Sequence, residues 1–350
     1  MPPLSPGSGP ERPVWQYRRM SSADPVREAT TIAETILYPS AMAVDAARSI
    51  PAAHLDALAA AGLYGIAGPA EYGGLAADPA TLARVIEIMA GGCLATTFVW
   101  LQHHGAVRAL AACANAELRA AWLGPLVQGE KRAGVALAGG WPGPPLLRAR
   151  PVAGGFELDG TAPWVTGWGM ADVLYTLARD EHDNLVAALL PATGSATLAA
   201  RRLDLVAVNA SATVELSFSR HPVPAELVCS VLPQAQWLAR DAQGLRPNGS
   251  LALGVAARCC QLAGRPDLTA QLGLVRDTLD DADVQAMPAA RAAAAEFAFR
   301  AAGTAIVVAG SRGILADQHP QRLAREALFL LVFGSRPPIR ENLVSLLVAR

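Results

Sequence analysis

The order of helical and strand-like segments along the 350 residues constrains the fold more than any other feature of the sequence. Apolar residues recur at helical spacing from about residue 25 to 130, and again from about residue 245 onward. Between about residues 133 and 228, short apolar runs are bounded by Asp, Asn, Gly or Pro, which is typical of strands. A parallel α/β sheet would alternate helices with strands, so this segregated order predicts an α+β fold.

Four segments follow from this order. We predict a disordered tail at residues 1–20, an N-terminal α-helical domain at 21–132, a central β domain at 133–240 and a C-terminal α-helical domain at 241–350. The tail is rich in Pro, Ser, Gly and Arg and lacks the apolar stretch of a signal peptide.

Composition argues against several classes of function. The formal net charge of −1 gives no electrostatic basis for binding nucleic acid. Apolar runs such as 305–309 and 328–333 are far shorter than the about 20 residues of a membrane-spanning helix. The five cysteines form no metal-ligand spacing, and an odd count without a secretory signal indicates a reducing, cytoplasmic setting. We therefore expect no metal, no nucleic acid and no membrane partner.

One strand-like segment carries the clearest candidate for a binding site. Polar and apolar residues alternate along 155–166, and the segment ends in Trp164, Val165 and Thr166. In a regular strand the side chains of Trp164 and Thr166 lie on the same face. A flat ring beside a hydroxyl suits a flat heteroaromatic ligand, although a half-buried strand with a core Trp is the simpler interpretation.

Several motifs, taken in order, resemble those of the acyl-CoA dehydrogenase family of flavoproteins. Gly-Thr-Ala-Pro-Trp-Val-Thr at 160–166 is similar to the family's Gly-Thr-Lys-x-Trp-Ile-Thr. Pro-Ala-Glu-Tyr-Gly-Gly at 69–74, Trp-Leu-Gly-Pro-Leu-Val-Gln-Gly-Glu at 122–130 and Val-Pro-Ala-Glu at 223–226 resemble further family segments. The resemblance implies N-terminal helices, a central β-barrel domain and a C-terminal helical bundle that forms the core of a homodimer or homotetramer.

The resemblance also implies FAD and its contacts. Trp164 would flank the isoalloxazine ring, and the hydroxyl of Thr166 would face flavin N5. The family's Gly-Gly-x-Gly element is kept in part at 310–313. The cofactor-binding residues expected from the resemblance are Leu137, Ala138, Trp164, Val165, Thr166, Gly310 and Gly313.

Several functional elements of the family are altered. Counting forward from residues 325–327, the family's catalytic glutamate falls on Gly334, which has no side chain to accept a proton. The alternative base position of some members falls on Gly244. The Arg-x-x-Phe-Gly element that reaches the FAD pyrophosphate is missing, because Gly-Arg-Pro-Asp at 264–267 interrupts that helix. Residues 137–145 lack the hydroxyl and acids that touch flavin and pantetheine, which weakens the case for CoA.

No other residue is an evident replacement for the base. His103 and His104 are candidates, on a helix that borders the family's substrate cavity. Adjacent helical residues diverge by about 100°, so at most one of them faces that cavity. Arg325 and Glu326 fit a structural pair on a helix surface. The residues expected to line the substrate pocket are Trp100, Phe333 and Gly334.

Three functions remain open at this point. The first is an acyl-CoA dehydrogenase-like, FAD-dependent oxidoreductase of lipid metabolism, acting on a CH–CH bond of an acyl thioester or a similar small substrate. The second is a flavin-dependent monooxygenase of the same fold, which needs no α-base. The third is a catalytically degenerate partner subunit in a hetero-oligomer with an active paralogue.

Overall fold

A computed structural model describes residues 24–241 and 244–349, and the predicted tail at residues 1–20 lies outside them. Asn115 caps the helix that begins at Ala116, because its side chain accepts a hydrogen bond from Leu118 N–H at 3.0 Å. The N-terminal helices are α1 (Pro25–Ile32), followed by a π-helical turn (Ala33–Leu37), α2 (Tyr38–Ala46), α3 (Ala52–Ala60), α4 (Pro79–Gly92), α5 (Leu94–Ala111) and α6 (Ala116–Val127).

The central strands form one mixed sheet of eight strands. The strands are β1 (Ala133–Ala136), β2 (Leu147–Val152), β3 (Gly155–Val165), β4 (Val173–Arg179), β5 (Asn184–Pro191), β6 (Leu198–Arg202), β7 (Val214–Pro224) and β8 (Val228–Pro233). Their order is β6-β7-β3-β2-β4-β5-β8, and β1 pairs in parallel with β4. Most other pairs are antiparallel, and β6 and β8 lie at the two ends of the order, so hydrogen bonds do not close these strands into the barrel that the resemblance implies.

Strand β4, in the middle of the sheet, is buried on both faces. Tyr175 and Leu177 pack with residues of α5 and α6, whereas Leu174 and Ala178 pack into a second core formed by the sheet itself. A strand covered on both faces reads as a continuous apolar run. The sheet therefore lies with one face against the N-terminal helices.

The C-terminal helices are α7 (Gln234–Asp241), α8 (Leu245–Ala263), α9 (Pro266–Asp280), α10 (Met287–Ala309), α11 (His319–Val332) and α12 (Pro337–Val348). The predicted interruption at 264–267 is present, because Gly264 ends α8 with φ +60° and Pro266 begins α9. By length and composition alone, Met287–Ile314 could cross a membrane, but half of its apolar 18-residue window is buried inside the protein. The packing of α10 against α8, α9, α11 and α12 identifies it as the central helix of the bundle.

Helices α4 and α8 join the two helical regions by a close crossing. A Cβ atom on Gly254 would lie 2.2 Å from the carbonyl oxygen of Glu87, so the backbones approach to a distance that only glycine permits. Arg258 Nε also donates to the carbonyl of Gly91 at 2.9 Å across this crossing. The observed order of helices, sheet and helical bundle confirms the predicted α+β class, while the exact domain limits stay a prediction.

Candidate functional site

Trp164 lies on a β-bulge at the end of β3. The register with β7 shifts between Ala162, which faces Leu216, and Val165, which faces Val214. Trp164 takes up the extra length with φ +63°, and 66% of its surface is exposed. An L-residue in this conformation costs about 1–2 kcal/mol, so the chain holds a large exposed ring on a strained backbone.

Thr166 has a different environment from Trp164, which corrects the predicted common face. Its side chain is only 3% exposed, because the bulge breaks the regular alternation of the strand. The Thr166 hydroxyl lies 3.2 Å from the hydroxyl of Thr213, which in turn lies 2.8 Å from that of Ser211. Three buried hydroxyl groups therefore form one chain that ends at Thr166.

The loop between β1 and β2 is held in place by hydrogen bonds from two side chains. The guanidinium of the buried Arg179 donates to the carbonyls of Trp141 at 3.0 Å and Gly143 at 2.6 Å. The Gln234 amide donates to the carbonyls of Gly140 at 3.0 Å and Trp141 at 2.9 Å. Because four bonds satisfy its carbonyls, the loop has a defined shape without the acids and hydroxyl that the family places there.

Leu137 and Ala138 lie at the start of this loop, half-buried and buried respectively. Ala138 opens a 3-10 turn, Ala138–Gly140, in contact with β3. The turn packs closely, because a Cβ on Gly140 would lie 2.8 Å from the ring of Trp237. The structure thus brings Ala138 into one core cluster with Val165, between Trp164 and Thr166, whereas Leu137 packs against a different cluster on the side of the N-terminal helices.

A contact between an arginine and a tryptophan ring connects this loop to the C-terminal bundle. The guanidinium of Arg336, between α11 and α12, lies 3.9 Å from the centroid of the Trp141 ring. Trp141 also packs edge-on against Trp237 at 5.1 Å. This contact positions the α11–α12 turn, and with it Gly334, against the β domain.

Gly334 lies in that turn with φ +59°, a conformation that glycine adopts readily. Among the described residues outside its chain neighbours, the one atom that a Cβ there would meet within 4 Å is Asn248 Nδ2, at 3.3 Å. The surroundings of Gly334 therefore offer an amide in place of a carboxylate. The sequence alone could not have indicated Asn248, which lies in α8 and is far away along the chain.

Phe333 belongs to a cluster of three aromatic rings. Its ring centroid lies 4.9 Å from that of Phe98 on α5 and 5.5 Å from that of Phe329 on α11. Phe98 and Phe329 are also in contact, at 5.2 Å. The predicted pocket residue Phe333 thus packs between α5 and α11.

The two histidines on α5 are inside the core. His103 and His104 are 1% and 0% exposed. Burial lowers the pKa of His103 to about 3, a shift that the nearby backbone carbonyls of Leu126 and Tyr64 oppose only in part. Burial also lowers the pKa of His104 well below its usual value. Both rings are neutral near pH 7, but their burial separates them from any bound substrate in this conformation.

Trp100 is fully buried as well, and its ring packs edge-on against His104 at 4.3 Å. Its indole nitrogen has no hydrogen-bond partner among the described residues. In this conformation Trp100 is a core residue, so its predicted place in the pocket would require a rearrangement of α5.

The predicted surface pair of Arg325 and Glu326 is wrong. Glu326 is 3% exposed, and its carboxylate accepts a hydrogen bond from the buried Arg322 at 2.6 Å. Burial raises the pKa of Glu326, and Arg322 opposes that shift. Arg325 instead donates to Asp45 at 3.0 Å. On a helix, a side chain four residues away is a closer neighbour than the adjacent one, which accounts for the error.

Gly310 and Gly313 lie at the far end of α10. Gly310 ends the helix with φ +64° and is exposed. A Cβ on the buried Gly313 would lie 3.0 Å from the carbonyl of Ile306, so this turn needs a small residue. Both glycines therefore have a structural reason to be present, whether or not a cofactor reaches them.

The five cysteines are packing residues of the core. All five are buried and free of disulfides. Among residues 24–241 and 244–349, no group of three or more His, Cys, Asp or Glu side chains could hold a metal ion.

Comparison with known proteins agrees with the fold. Residues 24–130 match the family described as acyl-CoA dehydrogenase, N-terminal domain. The human mitochondrial short-chain specific acyl-CoA dehydrogenase is 24% identical over 205 residues, which are 56% of this chain and 50% of that protein. The chain thus matches about half the length of this relative.

Two solved structures show how far the fold extends. Butyryl-CoA dehydrogenase from Megasphaera elsdenii superposes with a TM-score of 0.80 at 19% identity, covering 93% of this chain and 97% of the other. The structure of PigA with FAD and proline superposes with a TM-score of 0.79 at 17% identity, over 93% and 97% of the two chains. At such identities the likeness is one of fold.

Proposed function

Because the chain is a member of the acyl-CoA dehydrogenase family, we propose that it is an FAD-dependent oxidoreductase that binds the isoalloxazine ring against Trp164. The observation that carries the proposal is the exposed indole of Trp164, held at φ +63° on the bulge. Strained backbone and exposed aromatic surface are both features that a bound ligand would compensate. Bound FAD would supply a two-electron acceptor for the substrate.

The residues of this region fit the ring of FAD better than its tail. Trp164 is exposed on the bulge, and Ala138, at the start of the rigid loop, packs in one cluster with the neighbouring Val165, which suits a flat ring. The turn between α8 and α9 offers less to a pyrophosphate, because Arg265 is already paired with Asp267 at 2.7 Å. We therefore expect weaker binding of FAD than a protein with the full Arg-x-x-Phe-Gly element would show.

None of the residues considered above as a general base fits that role. Gly334 has no acid, Glu326 is buried with Arg322, and His103 is sealed in the core. Since removal of an α-proton needs an acceptor near the substrate, we propose a substrate whose carbon–hydrogen bond is already acidic or whose proton passes to solvent. CoA is not required by any of the residues described for this site.

The test is the absorbance spectrum of the purified protein before and after desalting with added FAD. We expect flavin bands with perturbed fine structure in the wild-type protein and in Trp164→Phe, which keeps an aromatic ring. Trp164→Ala should lose most of the bound flavin. A wild-type protein that stays colourless with excess FAD would reject the proposal.

A partner-subunit role is the second candidate, favoured by an exposed apolar surface. The C-terminal end of α10 and the following turn expose four large apolar side chains. They are Val307 (80% exposed), Val308 (53%), Ile314 (70%) and Leu315 (49%). Exposed apolar surface of this kind is typical of a contact with another subunit. Co-purification with a paralogue that has the glutamate, together with a colourless protein, would support this candidate.

A further inference from the structure

A small cavity has Thr166 in its wall, where the N-terminal helices meet the sheet. Its volume is about 10 Å³, and its polar lining residues are Tyr64, His103, Arg132 and Thr166. A cavity of about this size can hold one water molecule when two to four polar groups face it.

Two of the residues that line this cavity, His103 and Arg132, each have a buried donor without an acceptor among the described residues. Ala133 N–H donates to His103 Nδ1 at 3.1 Å, so in the neutral ring the proton is on Nε2. That Nε2 atom is buried without a hydrogen-bond partner, and so is Nε of Arg132. Arg132 uses another nitrogen, Nη2, to donate to Asp56 at 2.5 Å. A buried donor without an acceptor has lost its hydrogen bond to water and gained none in return, so the protein has reason to bind an acceptor here.

The backbone offers no adequate substitute for that acceptor. The carbonyls of Leu126 and Tyr64 are close enough to oppose the lowering of the His103 pKa, yet neither forms a hydrogen bond of acceptable geometry with Nε2. A water oxygen has two lone pairs and can accept from both donors at once.

On its other side, Thr166 belongs to the chain of buried hydroxyl groups with Thr213 and Ser211. A hydroxyl has one proton to donate and two lone pairs that accept. If Ser211 donates to Thr213 and Thr213 donates to Thr166, one lone pair of the Thr166 oxygen remains for a donor in the cavity.

We propose that the cavity binds one ordered water, which accepts hydrogen bonds from His103 and Arg132 and donates one to the Thr166 hydroxyl. Both lone pairs of Thr166 are then used, and its own proton points away from the cavity and from Thr213. His103 and Arg132 are thus positioning residues for the Thr166 hydroxyl. Its effect on FAD rests on the proposed function, whereas the water site itself does not.

The water site is tested by a high-resolution crystal structure of the full chain without added flavin. We expect one water within about 3.2 Å of His103 Nε2, Arg132 Nε and the Thr166 hydroxyl. His103→Phe should lose or displace this water. His104→Phe is the matched control, because His104 is equally buried on the same helix but does not line the cavity. A wild-type cavity without this water, or with a water that does not reach Thr166, would overturn the proposal.

A second measurement keeps the proposal testable if His103→Phe does not fold. Nitrogen-15 NMR of the histidine side chains in the wild-type protein should show His103 with its proton on Nε2. A proton on Nδ1 would remove the donor on which the water depends and would reject the site.

The effect on the hydroxyl is tested by FAD affinity. His103→Phe should weaken FAD binding about tenfold, the effect of about one hydrogen bond, and His104→Phe should leave it unchanged. Loss of the water without any change in FAD affinity would overturn the positioning role. If the wild-type protein binds no FAD, the proposed function fails, and the crystal structure still decides whether the water is bound.

Discussion

The guanidinium of Arg336 lies on the face of the Trp141 ring, 3.9 Å from its centroid. This contact connects the turn before α12 to the loop between β1 and β2, two segments almost 200 residues apart in the chain. It determines how closely the turn that contains Gly334 approaches the β domain. The shape of the proposed site therefore depends on a contact that neither segment could form alone.

Replacing Arg336 should measure the strength of this contact. Cation–π pairs contribute about 0.5–2 kcal/mol, so Arg336→Ala should lower the free energy of unfolding by about 1 kcal/mol in urea denaturation. Arg340→Ala, at an exposed position on α12, is the control and should change it by less than about 0.5 kcal/mol. Equal losses in the two variants would show that the stacking contributes nothing.

Trp164→Gly should make the protein more stable and less able to bind flavin. Glycine adopts φ +63° without strain, and removal of the exposed indole sacrifices little buried surface. We therefore expect the free energy of unfolding to rise by about 1 kcal/mol. Trp164→Phe keeps a β-carbon and should not gain this stability. A lower melting temperature for Trp164→Gly would mean that the indole has packing contacts that outweigh the strain.

Gly334 and Gly303 should respond to alanine in opposite directions. Gly334→Ala places a side chain at φ +59° and should destabilise the protein by about 1 kcal/mol. Gly303 lies inside α10, and a Cβ added there would point into open space among the described residues, so Gly303→Ala should stabilise the protein by about 0.5–1 kcal/mol. The measurement is the melting temperature of each variant compared with that of the wild type. A neutral Gly334→Ala would show that the turn relaxes.

His103 should make folding sensitive to acid. Its pKa is about 3 in the folded protein and about 6.5 when unfolded, so the unfolded chain binds the proton more readily. The free energy of unfolding should therefore fall as the pH drops below about 6.5, and it should level off near pH 3. At 1.36 kcal/mol per pKa unit, the total loss of stability from His103 is about 5 kcal/mol.

The measurement is urea denaturation between pH 7 and pH 4, for the wild type and for His103→Phe. The variant should lose less stability than the wild type over that interval, because phenylalanine takes up no proton. His104 and other buried histidines remain in both proteins, so only the difference between the two curves reports on His103. Parallel curves would contradict the low pKa.

Local signals in the sequence were sufficient for the elements. Gly264 with Pro266 predicted the break between α8 and α9, because residues that end a helix act within a few positions of it. The segregated order of helices and strands predicted the fold class, because a parallel α/β sheet would alternate them along the chain. Motif resemblance added the family, which the match over residues 24–130 supports.

The sequence by itself determined the order of elements and the absence of an acid at Gly334, because each is a property of neighbouring residues. The tertiary structure decided where individual side chains point. The bulge in β3 separated Trp164 from Thr166, and packing of α11 buried Glu326 with Arg322 instead of Arg325. Burial and register depend on which distant segment lies opposite, and the spacing of residues along one segment does not contain that information.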